Sequence, residues 1–152
     1  MHDAVLDLIS DIDVLIMTAA VADYRPKSSA KQKIKKSKDS RVVDLVSNPD
    51  ILKAVAHRRN KAKRLRVVVG FAAETEDLLK NARKKLSQKK LDLIAVNDVS
   101  AADSGFAVDT NRVTLMSSEG EEIALPLLTK DEVAEKILDC VGEKLRIEVN
   151  EE

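Results

Sequence analysis

The chain has 152 residues, the size of one ordinary domain and enough to bury a core without disulfides or metals. Hydrophobic residues make up 44% of it and charged residues 34%, which is typical of a soluble globular domain. The 26 basic and 26 acidic residues cancel, so overall charge gives no reason to expect a nucleic acid or a membrane as partner. Because no apolar run approaches about 20 residues and no leader pattern opens the chain, we expect a cytoplasmic protein.

The first two elements in chain order are predicted to be a helix and a buried strand. Ala4, Val5, Leu8 and Ile9 share one side of a helical pattern. Residues 14–20 then form a continuous apolar run, which favours a strand covered on both faces.

A helix is predicted over residues 51–59, after the sequence Asn-Pro-Asp. Asn48 is the expected capping residue, and Pro49 suits the first helical position because that position has no intrahelical donor to lose. Asp50 then places a negative charge near the positive end of the helix.

Residues 67–71 and 93–96 are short apolar runs without polar alternation, which indicates two strands of a parallel sheet. The segment between them is predicted to be a crossover helix, since apolar residues recur there at helical spacing. These residues are Leu78, Leu79, Ala82 and Leu86.

The last third of the chain predicts a hairpin followed by a helix. Residues 112–116 and 121–125 alternate around Ser-Ser-Glu-Gly, as antiparallel strands do. Thr129 and Glu132 have the spacing of a capping box, which opens a final helix. The apolar residues expected on its inner side are Val133, Ile137, Val141 and Leu145.

Strands that alternate with helices predict one α/β domain over residues 1–152. Its sheet is expected to be open, Rossmann-like and mostly parallel, with the antiparallel hairpin at its edge. Ligands in such sheets bind at the carboxyl ends of the strands.

Small or polar residues follow three of the predicted strands. Residues 19–26 read Ala-Ala-Val-Ala-Asp-Tyr-Arg-Pro, residues 70–75 read Gly-Phe-Ala-Ala-Glu-Thr, and Asn97 ends the third strand. Each stretch alone fits either a ligand-facing turn or an ordinary polar loop. Together they predict one crevice.

Lysines are concentrated in two places. Residues 27–38 hold six lysines in twelve positions, which fits either a solvated loop or a mobile flap over a polyphosphate. Lys85 and Lys89 are four apart on the crossover helix, so they point the same way, towards solvent or towards a ligand. Because neither a P-loop nor a G-x-G-x-x-G sequence occurs, phosphate binding would need lysines, backbone donors and a metal ion.

The remaining reactive side chains predict no site of their own. Cys140 lies within the apolar pattern of the last helix, where a small buried hydrophobe is expected and a reactive thiol is the alternative. His2 and His57 have no Cys or His at ligand spacing, so a zinc site is not expected.

Five sequence blocks occur in an order that resembles phosphopantothenoylcysteine synthetase, which in bacteria and archaea is usually fused behind a flavin-dependent decarboxylase. The blocks are residues 19–26, 33–36, 48–51, 70–75 and 97–99. The later residues that fit the closing hairpin of that family are Gly105, Phe106, Asp109 and Asn111.

The resemblance implies a CTP-dependent ligation in coenzyme A biosynthesis. The carboxylate of 4'-phosphopantothenate would attack the α-phosphate of CTP, which gives an acyl-cytidylate and pyrophosphate. Cysteine would then displace CMP to form the amide. Mg²⁺ or Mn²⁺ is the implied metal, and a homodimer with active sites near the interface is the implied assembly.

The resemblance also implies roles for individual residues. Asp23 would hold the divalent cation, and Lys33 on the flap, the implied catalytic residue, would neutralise phosphate charge. Lys85 and Lys89 would add contacts to the nucleotide. The remaining residues implied to line the nucleotide pocket, largely through their backbone, are Met17, Thr18, Ala19, Pro49, Asp50, Ile51 and Phe71.

In this family the domain begins earlier, with a Gly-Gly-Thr strand and a Ser-Ser-Gly-Lys-Met-Gly loop that this sequence lacks. We therefore expect a truncated domain, and FMN would belong only to the absent decarboxylase domain. A nucleotide-binding and dimerisation fragment without catalytic activity is the alternative. A nicotinamide-dependent oxidoreductase fits the fold class but lacks the glycine fingerprint.

Overall fold

The computed structural model describes residues 1–35, 40–100 and 108–149, with side chains as far as residue 146. Lys36, Gly105 and Phe106, which belong to the family-like blocks, lie outside the described residues. The helices and strands, in chain order, are α1 (His2–Leu8), β1 (Val14–Met17), β2 (Tyr24–Pro26), β3 (Leu45–Ser47), α2 (Ile51–Arg58), a 3-10 turn (Arg59–Lys61), β4 (Val67–Glu74), α3 (Leu78–Gln88), β5 (Leu93–Asp98), β6 (Thr110–Asn111), β7 (Val113–Ser117), β8 (Glu122–Ala124), β9 (Leu128–Thr129) and α4 (Lys130–Val149).

The central sheet has five strands in the order β1-β4-β5-β7-β8. Strands β1, β4 and β5 are parallel, and α3 is the crossover between β4 and β5. Strands β7 and β8 are antiparallel and form one edge. The Rossmann-like sheet with an antiparallel hairpin at its edge is therefore confirmed.

Strand β4 shows why its sequence lacks polar alternation. Val67 and Val69 contact the core beneath α4, whereas Val68 points to the opposite face, where α1, α2 and α3 pack. All three valines are only 1% exposed. Because the sheet is covered on both faces at Val67, Val68 and Val69, the sequence is continuously apolar there, and the first charged residue of β4 is Glu74 at its end.

Helix α4 begins at the predicted capping box. The amide of Glu132 donates to Thr129 Oγ1 at 3.3 Å, and the amide of Thr129 donates to the Glu132 carboxylate at 2.8 Å. The hydrogen bonds that the Thr129 amide and hydroxyl donate to the Glu132 carboxylate hold the pKa of Glu132 below its usual value. The predicted inner side is confirmed, since Val133, Ile137 and Val141 are buried.

Two predictions about element placement are wrong. Strand β1 ends at Met17 rather than at residue 20, because the backbone turns where the Val21 amide donates to the Ala19 carbonyl at 3.1 Å. Leu79 does not face the core and is 41% exposed. The core-facing residues of α3 are Leu78, Ala82 and Leu86, which recur at intervals of four. Leu79 follows Leu78 and therefore lies on the flank of the helix.

The capping residue of α2 is Asp50 and not Asn48. The Asp50 carboxylate accepts a hydrogen bond from the Lys53 amide at 3.1 Å, and its backbone is extended. A residue before proline is disfavoured in helical conformation, so Asn48 remains outside the helix and Pro49 precedes the cap.

Two small antiparallel sheets, β2 with β3 and β6 with β9, were not predicted from sequence. The β2–β3 ribbon carries the residues that precede and follow the lysine-rich segment. The β6–β9 pair places Asn111 opposite Leu128, which brings the start of α4 to the carboxyl end of β5. Both pairings join segments that are distant in sequence, so no local pattern announces them.

Candidate functional site

A crevice of about 300 Å³ lies where the carboxyl ends of β1 and β4 meet the start of α2. Two of the three strand ends that were predicted to form one crevice therefore meet here, and the third, at Asn97, lines an adjacent cavity. The sequence-predicted site residues that line it are Met17, Ala19, Asp23, Pro49, Asp50, Ile51, Phe71, Lys85 and Lys89.

Thr18 and Lys33 are placed elsewhere. Thr18 lines a second, adjacent cavity. Lys33 is exposed on the segment after β2 and lines neither this cavity nor the crevice. Its contact with phosphate stays a prediction.

Each crevice lysine is held by a carboxylate from another element. Lys85 Nζ lies 2.6 Å from Glu74 Oε1, at the end of β4. Lys89 Nζ lies 3.2 Å from Asp50 Oδ2, at the start of α2. The spacing of four residues predicted that the two side chains point the same way, and the structure places both on the wall of the crevice.

Asn48 is a site residue whose contacts the sequence did not predict. Its amide donates to the Asp23 carbonyl at 2.7 Å, and its side-chain Nδ2 donates to the Ala22 carbonyl at 2.7 Å. Its Oδ1 accepts from Arg25 at 3.0 Å. Asn48 therefore fastens the loop that carries Asp23 to the start of α2. Its position in the Asn-Pro-Asp block was the only signal in the sequence.

Asp50 combines a structural contact with a position in the crevice. Partial burial acts to raise its pKa, but the hydrogen bond from the Lys53 amide and the charge of Lys89 outweigh burial and lower the pKa. The carboxylate is therefore ionised at neutral pH. The crevice is thus lined by two aspartates, Asp23 and Asp50, and by two lysines, each of which already has a carboxylate partner.

The second cavity has a volume of about 230 Å³ and shares Ala19, Ala20, Phe71 and Ala73 with the crevice. Its other lining residues are Thr18, Asn97, Asn111 and Lys130. The two amide side chains are buried, and Asn97 Nδ2 donates to Asn111 Oδ1 at 3.1 Å. The predicted end of the third strand is thus part of the site, whereas Lys130 was missed because only the β6–β9 pairing places it there.

Cys140 lies away from both cavities. It lines a small cavity of about 110 Å³ beside Leu93, the first residue of β5, whereas the crevice lies at the carboxyl ends of the strands. Burial, with the nearby charges of Glu143 and Asp139, raises the pKa of the thiol. Its packing against the core beneath α4 supports a small hydrophobe rather than a reactive thiol.

Neither a cluster of metal-ligating side chains nor a membrane-spanning helix occurs in the described part of the chain. No group of three or more His, Cys, Asp or Glu side chains within residues 1–35, 40–100 and 108–149 is arranged to hold a metal ion. Over the same part of the chain, no helix has the length and apolar character needed to cross a bilayer.

Comparison with known proteins places the chain in a family. The family model described as the DNA/pantothenate metabolism flavoprotein C-terminal domain matches residues 1–145. The coenzyme A biosynthesis bifunctional protein CoaBC of Vibrio cholerae is 43% identical over 147 residues, which cover 95% of this chain and 36% of that protein. The protein of the same name from Bacillus subtilis is 43% identical over 142 residues, which cover 93% of this chain and 34% of that protein.

A solved structure is also similar. The C-terminal domain of the coenzyme A biosynthesis bifunctional protein CoaBC superimposes with a TM-score of 0.72 at 36% identity, covering 97% of this chain and 61% of that chain. The chain thus spans about a third of the length of the curated relatives it matches.

Proposed function

The chain belongs to the family of the DNA/pantothenate metabolism flavoprotein C-terminal domain, and we propose that it binds CTP for the ligation of 4'-phosphopantothenate to cysteine in coenzyme A biosynthesis. One observation carries the proposal. Most of the nucleotide residues implied by the sequence resemblance line a single crevice at the strand ends, and those that do come from four separate segments. Its volume of about 300 Å³ is at the lower end of the range for small-molecule sites.

The charges in the crevice support a requirement for a divalent cation. Two lysines and two aspartates line the crevice, and Lys85 also pairs with Glu74, so the negative charge of a triphosphate needs further compensation. Asp23 is exposed at the crevice, and its carboxylate is the type of oxygen ligand that Mg²⁺ or Mn²⁺ takes together with phosphate oxygens. Lys33 would supply a further positive charge when its segment approaches the nucleotide.

Small side chains support recognition of the nucleotide by the backbone. Ala19, Ala20, Ala72 and Ala73 line the crevice beside Phe71, so a ligand can approach main-chain donors and acceptors closely. Such contacts distinguish the edges of nucleobases without a dedicated polar side chain. This fits a cytosine base.

The second cavity would hold the acid that is activated. Because the two cavities share Ala19 and Phe71, their ligands would lie in contact. A carboxylate oxygen of 4'-phosphopantothenate would attack the α-phosphorus of CTP, and the bond to pyrophosphate would break. The amine of cysteine would then attack the acyl carbon, lose a proton and release CMP. Held ligands would make both steps effectively unimolecular.

The β2–β3 ribbon supports a homodimer. Tyr24, Val43 and Leu45 on and beside the ribbon are 60%, 64% and 57% exposed. An isolated two-stranded ribbon is only marginally stable in water, so burial against a second copy would stabilise it. Sedimentation equilibrium should give twice the mass of one chain, and Leu45→Lys should lower that mass. Separately, CTP, 4'-phosphopantothenate and cysteine are substrates that fit a cytoplasmic enzyme.

Nucleotide binding is tested by calorimetric titration of the chain with CTP and with ATP, with and without Mg²⁺. We expect Mg²⁺-dependent binding with a preference for CTP. Lys89→Ala should weaken it, whereas Arg83→Ala should not, because Arg83 lies on the same helix but pairs with Glu122 outside the crevice. Absence of nucleotide binding would refute the proposal.

Catalysis is tested separately from binding, because the chain spans 61% of the solved domain it matches. Release of pyrophosphate from CTP that depends on 4'-phosphopantothenate would support the ligase. CTP binding without such release would instead support the second candidate, a nucleotide-binding and dimerisation module.

A further inference from the structure

Glu74 contacts a crevice lysine without lining the crevice itself. It is the last residue of β4, and its side chain is 14% exposed. Its Oε1 lies 2.6 Å from Lys85 Nζ, whose side chain is 42% exposed at the crevice wall. The Lys85 ammonium group is therefore accessible from the crevice, whereas its carboxylate partner is not part of the crevice wall.

The carboxylate of Glu74 is itself held in place. Asn81 Nδ2 lies 3.4 Å from Glu74 Oε2 and donates to the Glu76 carbonyl at 3.1 Å. The Glu74 carbonyl accepts from the Val99 amide at 3.1 Å. Backbone and side chain are thus both fixed, while lysine is among the most flexible side chains. In this pair the acid determines where the ammonium group lies.

The pair between Lys89 and Asp50 is built differently. Asp50 lines the crevice and is 34% exposed, so a bound phosphate would lie near both members of that pair. Glu74 is less exposed and is absent from the crevice lining. A ligand can therefore accept from the remaining N–H groups of Lys85 without displacing its carboxylate.

We infer that Glu74 is a positioning residue, which holds the Lys85 ammonium group at the crevice wall in the orientation that receives a nucleotide phosphate. This inference rests on the proposed function. The physical reason is preorganisation: a lysine already ordered by a fixed partner loses less side-chain entropy when the ligand binds. The charge of the partner reduces the attraction to phosphate but leaves two of three donors available.

The test is calorimetric titration of the 152-residue chain with CTP and Mg²⁺, using Glu74→Gln, Glu74→Asp, Lys85→Ala and Glu74→Gln/Lys85→Ala. Glutamine keeps an acceptor for Asn81 but removes the charge. We expect Glu74→Gln to raise the Kd about five- to tenfold, because binding must then order one additional lysine side chain. The double variant should bind as Lys85→Ala does, because Glu74 acts only through that lysine.

Glu74→Asp should restore most of the affinity, since it keeps the charge and a lysine can follow a shorter partner. Circular dichroism and melting temperature identify variants that lose affinity through unfolding. A purely structural role for Glu74 would weaken binding equally with and without Lys85.

The inference is overturned if Glu74→Gln binds CTP like the unchanged chain, or if its effect multiplies with that of Lys85→Ala. It is also overturned if Glu74→Asp binds no better than Lys85→Ala, a comparison that holds even when the glutamine variant does not fold. Binding that depends on Lys85 but not on Glu74 would leave the proposed function standing. Failure of the unchanged chain to bind CTP would overturn both.

Discussion

The dual contact of Asp50 leads to a prediction that separates helix capping from charge pairing. Asp50→Ala removes both the acceptor for the Lys53 amide and the partner of Lys89. Asp50→Ser keeps a capping oxygen and removes only the charge. The two variants should therefore differ in stability.

The expected loss in the free energy of unfolding follows from the geometry of the two contacts. An N-cap with a hydrogen bond of 3.1 Å contributes about 1 kcal/mol to the free energy of unfolding. The pair with Lys89 is 3.2 Å long, but both side chains are partly exposed, so it adds less than about 1 kcal/mol. Asp50→Ala should cost about 1–2 kcal/mol, which lowers the Tm by roughly 2–8 °C in a domain of this size. Asp50→Ser should cost about half as much or less.

Urea unfolding followed by circular dichroism measures these free energies at pH 7 and again between pH 2 and 5. The pKa of Asp50 is lowered in the folded state, so its charge-dependent contribution is complete above the unfolded pKa of about 4. It is lost as the pH falls through the lower, folded pKa. The difference in the free energy of unfolding between Asp50→Ser and the unchanged chain should therefore become smaller at acidic pH.

Asp139→Ala is the matched control, because Asp139 is 67% exposed and pairs with Lys136, which lies one turn away on the same helix. It should change stability by less than about 0.5 kcal/mol. Equal losses of stability for Asp50→Ser and Asp50→Ala would refute the capping argument. If Asp50→Ala lost no stability, neither contact would stabilise the fold.

Four further outcomes are expected. Lys33→Ala should lower the affinity for CTP without changing the Tm, because this exposed lysine has little packing to lose; unchanged affinity would exclude it from the site. Asp23→Asn should raise the Mg²⁺ concentration needed for CTP binding, and an unaltered Mg²⁺ dependence would remove Asp23 as the metal ligand. Cys140 should react with iodoacetamide at pH 8 more slowly in the folded chain than in urea, because its raised pKa reduces the thiolate fraction; faster labelling of the folded chain would contradict this. Lys90→Gly should raise the Tm by about 2–4 °C, since Lys90 has a φ of 49° at the end of α3; a lower Tm would show that its side chain stabilises the fold.

Local patterns were sufficient for much of the architecture. The capping box at Thr129 and Glu132, the β7–β8 hairpin and the crossover helix all depend on residues a few positions apart. The apolar runs at residues 67–71 and 93–96 also revealed burial on both faces, which reflects the layers around the sheet. Such features can be predicted from short stretches of sequence because the interactions that form them join residues close together in the chain.

The sequence indicated which residues belong to the candidate site but not which contacts they make. Small residues after each strand indicated a crevice, and the order of the blocks indicated which residues share it. Asn48 was assigned a capping role, yet its bonds reach Ala22 and Asp23, more than twenty residues earlier. No periodicity or propensity encodes a hydrogen bond over that distance.

The tertiary structure alone decided how the charges are paired. Spacing along α3 placed Lys85 and Lys89 on one side, but their partners Glu74 and Asp50 come from the end of a strand and the start of another helix. The β6–β9 pairing likewise brought Lys130 to the second cavity. These contacts form only when packing of the sheet closes long loops, so their partners depend on the whole fold rather than on neighbouring residues.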